Sequence, residues 1–173
     1  MSALNIFTTF ISTVGFVTTV LSVVIILTAL ISWFLGIYPL LKRFGLARWK
    51  RNIAIAADDD PYNSLKNDLT KAEVFREKNI YQIKKNSLSQ IKDSSLVLID
   101  YQSFSEDEIK TILRNKQNKA GFIFYFPEFE PANTMIPKEM LIEINNEPFT
   151  TVVNFRGRLI NDIVVTMIST SYD

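Results

Sequence analysis

The chain has 173 residues, 47% of them hydrophobic, with a formal net charge of +1 and neither cysteine nor histidine. Without cysteine there are no disulfides, thiolate nucleophiles or zinc–thiolate sites, and without histidine the usual general base, the commonest metal ligand and every His-containing triad are gone. Any catalysis would have to run on carboxylates, lysine, tyrosine or serine, so the composition reads as a protein that is not an enzyme and needs no cofactor.

Residues 3–41 contain no Asp, Glu, Lys, Arg or His, and Lys42, Arg43, Arg48, Lys50 and Arg51 follow directly. About 20 apolar residues suffice to cross a bilayer, and basic flanks stay on the cytoplasmic side. The expected organisation is a transmembrane helix over 1–41, a basic juxtamembrane linker over 42–51 lying against anionic headgroups, and one cytoplasmic domain over 52–173. A cleaved signal peptide fits poorly, because the first five residues, MSALN, carry no positive charge and the apolar run is too long. Two spans would need a turn that the middle of the run does not offer. A single helix over 3–41 would be about 58 Å long at 1.5 Å per residue, enough to tilt or project from the hydrocarbon core. Trp33, Tyr38 and Trp49 suit the interface, and Pro39 is expected to kink or end the helix.

Within this helix Thr8, Ser12, Gly15, Thr19, Ser22, Ile26 and Ala29 recur at alternating steps of four and three, forming one stripe of small or hydroxylated residues. Phe10, Val14, Val17, Leu21, Val24 and Ile25 occupy the other faces and suit lipid. Three readings of the stripe stay open: hydroxyls bonding back to their own helix, close packing against another helix in a homo-oligomer, or the lining of a hydrated pore.

The residues after 51 hold 14 basic and 18 acidic side chains, a balance of −4 that disfavours direct DNA binding. Short apolar runs at 52–57, 79–84, 95–100, 121–126 and 150–155 predict five strands, the third to fifth continuous enough to be buried on both faces. Helical patterns fall between and after them: 62–75, 87–92, 106–116 with Ser105 and Glu108 as a capping box, 137–145 opened by Pro137, and 158–169. Five strands alternating with helices predict an α/β fold, a doubly wound, five-stranded parallel sheet of Rossmann-like or flavodoxin-like type.

Such sheets bind ligands beyond the carboxyl ends of their strands. Those ends carry Asp58, Asp59, Asp60, Pro61 and Tyr62, then Asp100 and Tyr101, then Pro127 and Glu128, and finally Asn154, Arg156, Gly157 and Arg158. No glycine-rich dinucleotide fingerprint, Walker A loop or nucleophile elbow is present. In VVNFRGRLINDI two arginines flank a glycine where a strand turns into a helix, with Asn161 one turn further on. Free N–H groups and forked guanidinium groups there would suit an anion. The expected ligand site is therefore Asn154, Arg156, Arg158, Asn161 and Tyr62. Equally, Arg156 and Arg158 can pair with Glu128, Asp58 or Asp162 as surface ion pairs. Glu128 and Glu130, in EFEPANTMIP, read as loop residues above buried Phe126 and Phe129, and not as a catalytic pair.

The acidic run Asp58–Asp60 and the strand-ending Asp100 in SLVLIDYQ resemble the magnesium-binding and phosphoacceptor positions of receiver domains. FYFPEFEP replaces the hydroxyl expected after the fourth strand, and no Lys-Pro follows the fifth. In layout the chain resembles CRISPR-associated membrane proteins with a Rossmann-like ring-nucleotide-sensing domain, effectors of bacterial antiphage defence. That resemblance implies a nucleotide second messenger as ligand, a homo-oligomer in the bacterial inner membrane with its N-terminus outside, and a helix bundle that permeabilises the membrane. The alternative is a passive anchor carrying a domain that docks a cytoplasmic protein partner, or a degenerate receiver-like domain.

Overall fold

The computed structural model describes residues 3–127 and 136–170, and of residues 3–6, 43, 44 and 46–50 the backbone alone, so Glu128, Phe129 and Glu130 lie outside the described residues and the side chain of Trp49 is not described. The chain divides into two compact units, residues 1–42 and residues 43–173.

Helix α1 (Ala3–Lys50) continues through Pro39 and through the basic residues to Lys50. Pro39 therefore does not end the helix, one of the two outcomes expected of it: proline removes one N–H from the ladder, and the helix runs on past it through the 42–50 part of the basic segment. Phe7–Lys42 is the one segment among the described residues long and apolar enough to cross a membrane, judged by length and composition. Its large side chains are exposed, Phe16 at 70% and Leu35 at 75%.

The second unit is an α/β domain. Its strands are β1 (Ile53–Ala56), β2 (Ile80–Ile83), β3 (Leu96–Asp100), β4 (Gly121–Tyr125) and β5 (Thr150–Val153). All neighbours pair in parallel, in the order β2-β1-β3-β4-β5. This is the flavodoxin-type order among doubly wound sheets. The helices are α2 (Asp59–Lys71), α3 (Glu106–Arg114), α4 (Lys138–Asn146) and α5 (Leu159–Ser169). Period-two alternation sorts the side chains to two faces. Ile53, Ile55, Leu96, Leu98 and Ile123 meet Leu65 and Leu69 of α2 and Leu159, Ile163 and Met167 of α5. Ala54, Ala56, Val97, Ile99, Phe122 and Phe124 meet Ile109 and Ile112 of α3 and Met140 and Ile144 of α4. Burial of each such large side chain contributes roughly 1.5–3 kcal/mol, which is why every residue of β1, β3 and β4 is apolar or capped.

Element ends depart from the sequence pattern for local reasons. Helix α2 opens at Asp59, three residues early, because Asp59 and Asp60 suit the positive end of the helix dipole. It stops at Lys71, short of Phe75, where the chain turns through Glu73 with φ 55°. The 87–92 helix is instead a run of 3₁₀ turns over Lys85–Asp93, broken at Ser87. The capping box is as expected, Ser105 accepting from the Glu108 N–H and Glu108 from the Ser105 N–H.

Arg51 corrects the juxtamembrane reading. Its side chain is buried, 2% exposed, and is not free to rest against headgroups. The guanidinium donates to the Ser95 carbonyl at 3.0 Å, to Ser95 Oγ at 3.1 Å, to the Met167 carbonyl at 2.8 Å and to Thr170 Oγ1. It thereby ties the chain two residues before β1 to the start of β3 and the end of α5. Next to it α5 lies so close to the sheet that a Cβ on Gly121 would overlap Thr166 Cγ2 and press on Leu96 Cδ1 at 3.0 Å. Arg51→Met is expected to destabilise the domain by about 2–4 kcal/mol, since it orphans buried carbonyl and hydroxyl groups. Gly121→Val should cost about 1–3 kcal/mol by overpacking. Urea melts of the detergent-solubilised chain, followed by far-UV circular dichroism, check both.

Candidate functional site

In a 2-1-3-4-5 sheet the crevice lies beyond the carboxyl ends of β1 and β3, where the strand order reverses. The chain has a concavity of about 420 Å³ there, lined by Asp58, Asp59, Asp60, Pro61, Asp100, Gln102 and Ser103. Asp100 ends β3 and is only 4% exposed. Its Oδ2 accepts from the Ser103 N–H at 3.1 Å and from the Ser103 hydroxyl at 2.6 Å. Ser103 Oγ in turn accepts from the Asp58 N–H at 3.0 Å, so one hydrogen-bonded chain joins the ends of the two strands. Asp100 acts here as the cap of the 101–103 turn.

The acidic residues of the preceding loop face lysines. Lys85 Nζ lies 3.1 Å from Asp58 Oδ2 and Lys84 Nζ 2.7 Å from Asp59 Oδ1. Gln82 donates to Asp59 Oδ1 at 2.9 Å and to the Ala57 carbonyl at 3.1 Å. Hydrogen bonds from Lys84 and Gln82, with the charge of Lys84 behind them, hold the Asp59 carboxyl below its ordinary value. Among the described residues no three acidic side chains converge to hold a metal ion. Tyr101 flanks it, stacked edge-on against Phe126, with its hydroxyl pushed up by burial and then by Glu106.

The arginine turn at the end of β5 is occupied otherwise than expected. Arg156 Nε donates to Asp68 Oδ2 at 2.5 Å, and its Nη2 donates to Ser64 Oγ at 2.6 Å. Both partners lie on α2, so Arg156 fastens the turn to that helix. Asp58, weighed as its partner from sequence, instead faces Lys85, and Glu128 lies outside the described residues. Arg158 reaches Asp162, one helical turn on, at 3.8 Å. Tyr62 packs partly buried against the core of the α2 and α5 face, Asn154 is half-buried, and Asn161 is exposed. The turn and α2 are thus brought together, but through bonds that use the arginine expected to hold an anion.

Along α1, Thr19 donates to the Gly15 carbonyl at 2.8 Å and Ser22 to the Thr18 carbonyl at 2.9 Å. Thr13, Thr18 and Thr28 lie off the stripe and bond back in the same way. Back-bonding is therefore not confined to the stripe, as Ser and Thr within a helix often bond to the carbonyl one turn back. Thr8, Ser12 and Gly15 are exposed.

Sequence reasoning missed Ser103, Lys84, Lys85 and Gln82. Only the 3-residue return of a polar side chain after Asp100 hinted at the first, and the parallel pairing of β1 with β2 decides the rest. Compared with known proteins, the chain matches no family model, no curated protein and no solved structure.

Ser103→Ala is expected to lower domain stability by about 1–2 kcal/mol, because it strips a partner from the buried Asp100 carboxylate and from the Asp58 N–H. Urea melts measure it. An NMR titration of Asp59 should show a midpoint below the ordinary carboxylate range that rises on Lys84→Gln. Because this pKa is depressed on folding, its small contribution is present above the unfolded value and is lost as the pH falls through the folded one, and added salt should shrink it.

Proposed function

We propose that the chain is a membrane-anchored binding module: α1 spans the bilayer, and the α/β domain stands on the cytoplasmic side and holds a protein partner. The observation that carries this reading is the state of the carboxyl end of the sheet. In this fold ligands bind at the reversal of strand order, and there the chain offers an acidic crevice, already cross-linked by Lys84, Lys85, Gln82 and Ser103. Such a surface repels phosphate and suits a cationic segment of another protein. Membrane anchoring is supported by the exposed apolar surface of Phe7–Lys42, and the cytoplasmic placement by the basic residues that follow it.

The nucleotide-gated effector is the second reading, and the exposed Arg158 favours it. It requires Arg156 to exchange Ser64 and Asp68 for a phosphate, so the ligand would have to exceed an existing set of charge-assisted bonds.

Two measurements separate the readings. Replacing residues 7–42 by an unrelated single span should leave the domain folded, the chain resistant to alkaline extraction and its function in the host intact. Cyclic oligonucleotides should leave the thermal midpoint of the reconstituted chain unchanged. A ligand-dependent shift that disappears in Arg158→Ala, together with ion leak from liposomes, would replace the docking reading with the gated one.

A further inference from the structure

The two edges of the sheet are built differently. The outer strand β2 is flanked by Lys78, Lys84 and Lys85, the charged residues that discourage strand addition. The opposite edge, β5, reads TTVV without a charge, and among the described residues no strand pairs with its outer side. Exposed Phe149 and Phe155 bracket it at 45% and 46%, and beside it Leu141 and Ile142 of α4 stand 43% and 50% exposed along a groove of about 490 Å³.

The carbonyls of Phe149 and Val153 accept from Phe122 and Phe126 of β4 and its extension. The alternation of a parallel ladder therefore turns the N–H and C=O groups of Thr150 and Val152 toward the open edge. We infer that this edge is a self-association surface, on which β5 pairs antiparallel with β5 of a second copy about a two-fold axis at Val152, joining two sheets into one of ten strands.

Two features make the edge complementary to itself, as a two-fold interface must be. Phe149 and Phe155 lie three residues either side of Val152, so each faces the other's counterpart across the axis. Helix α4 covers the same sheet face as Val152, and the axis sets the two α4 helices side by side with Leu141 and Ile142 between them. A four-residue edge gives a modest interface by itself, and confinement of both copies to one bilayer raises their effective concentration. The inference does not depend on what the crevice between β1 and β3 holds.

The absence of cysteine allows a register-specific test on the full chain in liposomes at low protein-to-lipid ratio. Val152→Cys meets only itself on the axis, within disulfide reach, and should cross-link rapidly to a dimer under mild oxidation. Lys78→Cys, at the other edge, should cross-link at least about tenfold more slowly. Adding Phe149→Gly to Val152→Cys keeps the left-handed backbone at φ 55° while deleting the ring, so folding is retained and cross-linking should fall about tenfold. Equal rates for Val152→Cys and Lys78→Cys, or rates unmoved by Phe149→Gly in a protein of native circular dichroism, would overturn the inference and assign any association to α1.

Discussion

A guanidinium held out of water sets the geometry of the domain. Arg51 precedes β1 in the chain, yet its donors reach residues at the start of β3 and at the last turn of α5. Water cannot solvate the charge there, so the carbonyls of Ser95 and Met167 and the hydroxyls of Ser95 and Thr170 must. These partners are met only when β1 lies beside β3 and α5 packs over β4, with nothing but hydrogen on Gly121 between them. One buried charge thus disfavours any arrangement that parts β1 from β3 or α5, since that would leave it unpaired.

From that corner the carboxyl ends of β1 and β3 are placed side by side, and their electrostatics follow. Asp58 and Asp59 come within reach of Lys85 and Lys84 because β2 runs parallel on the other side of β1. Asp100 is drawn into the Ser103 turn, and the result is an acidic crevice that two lysines neutralise only in part. At the far end of the sheet the arginine turn is fastened to α2 through Asp68 and Ser64. The Arg156 fork acts there as a brace between the turn and α2.

The other unit obeys a simpler constraint. Thr13, Thr18, Thr19, Ser22 and Thr28 of α1 donate to carbonyls of their own helix, and its large apolar side chains are exposed.

Much of the fold was legible in the residues. The five strands sit within a residue or two of the apolar runs, because continuous hydrophobic stretches of four to six residues have only a two-sided sheet in which to hide, and the helices between them follow from parallel pairing. The long N-terminal helix was legible too, as an apolar length without a charge. The continuation of α1 past Pro39, the burial of Arg51 and the partners of Arg156 were not. A one-dimensional pattern reports how apolar a residue is and what its near neighbours are, and it assigns a charged side chain to solvent by default. Whether Arg51 faces water or four protein oxygens depends on contacts 44 to 119 residues away, which only the tertiary structure brings together.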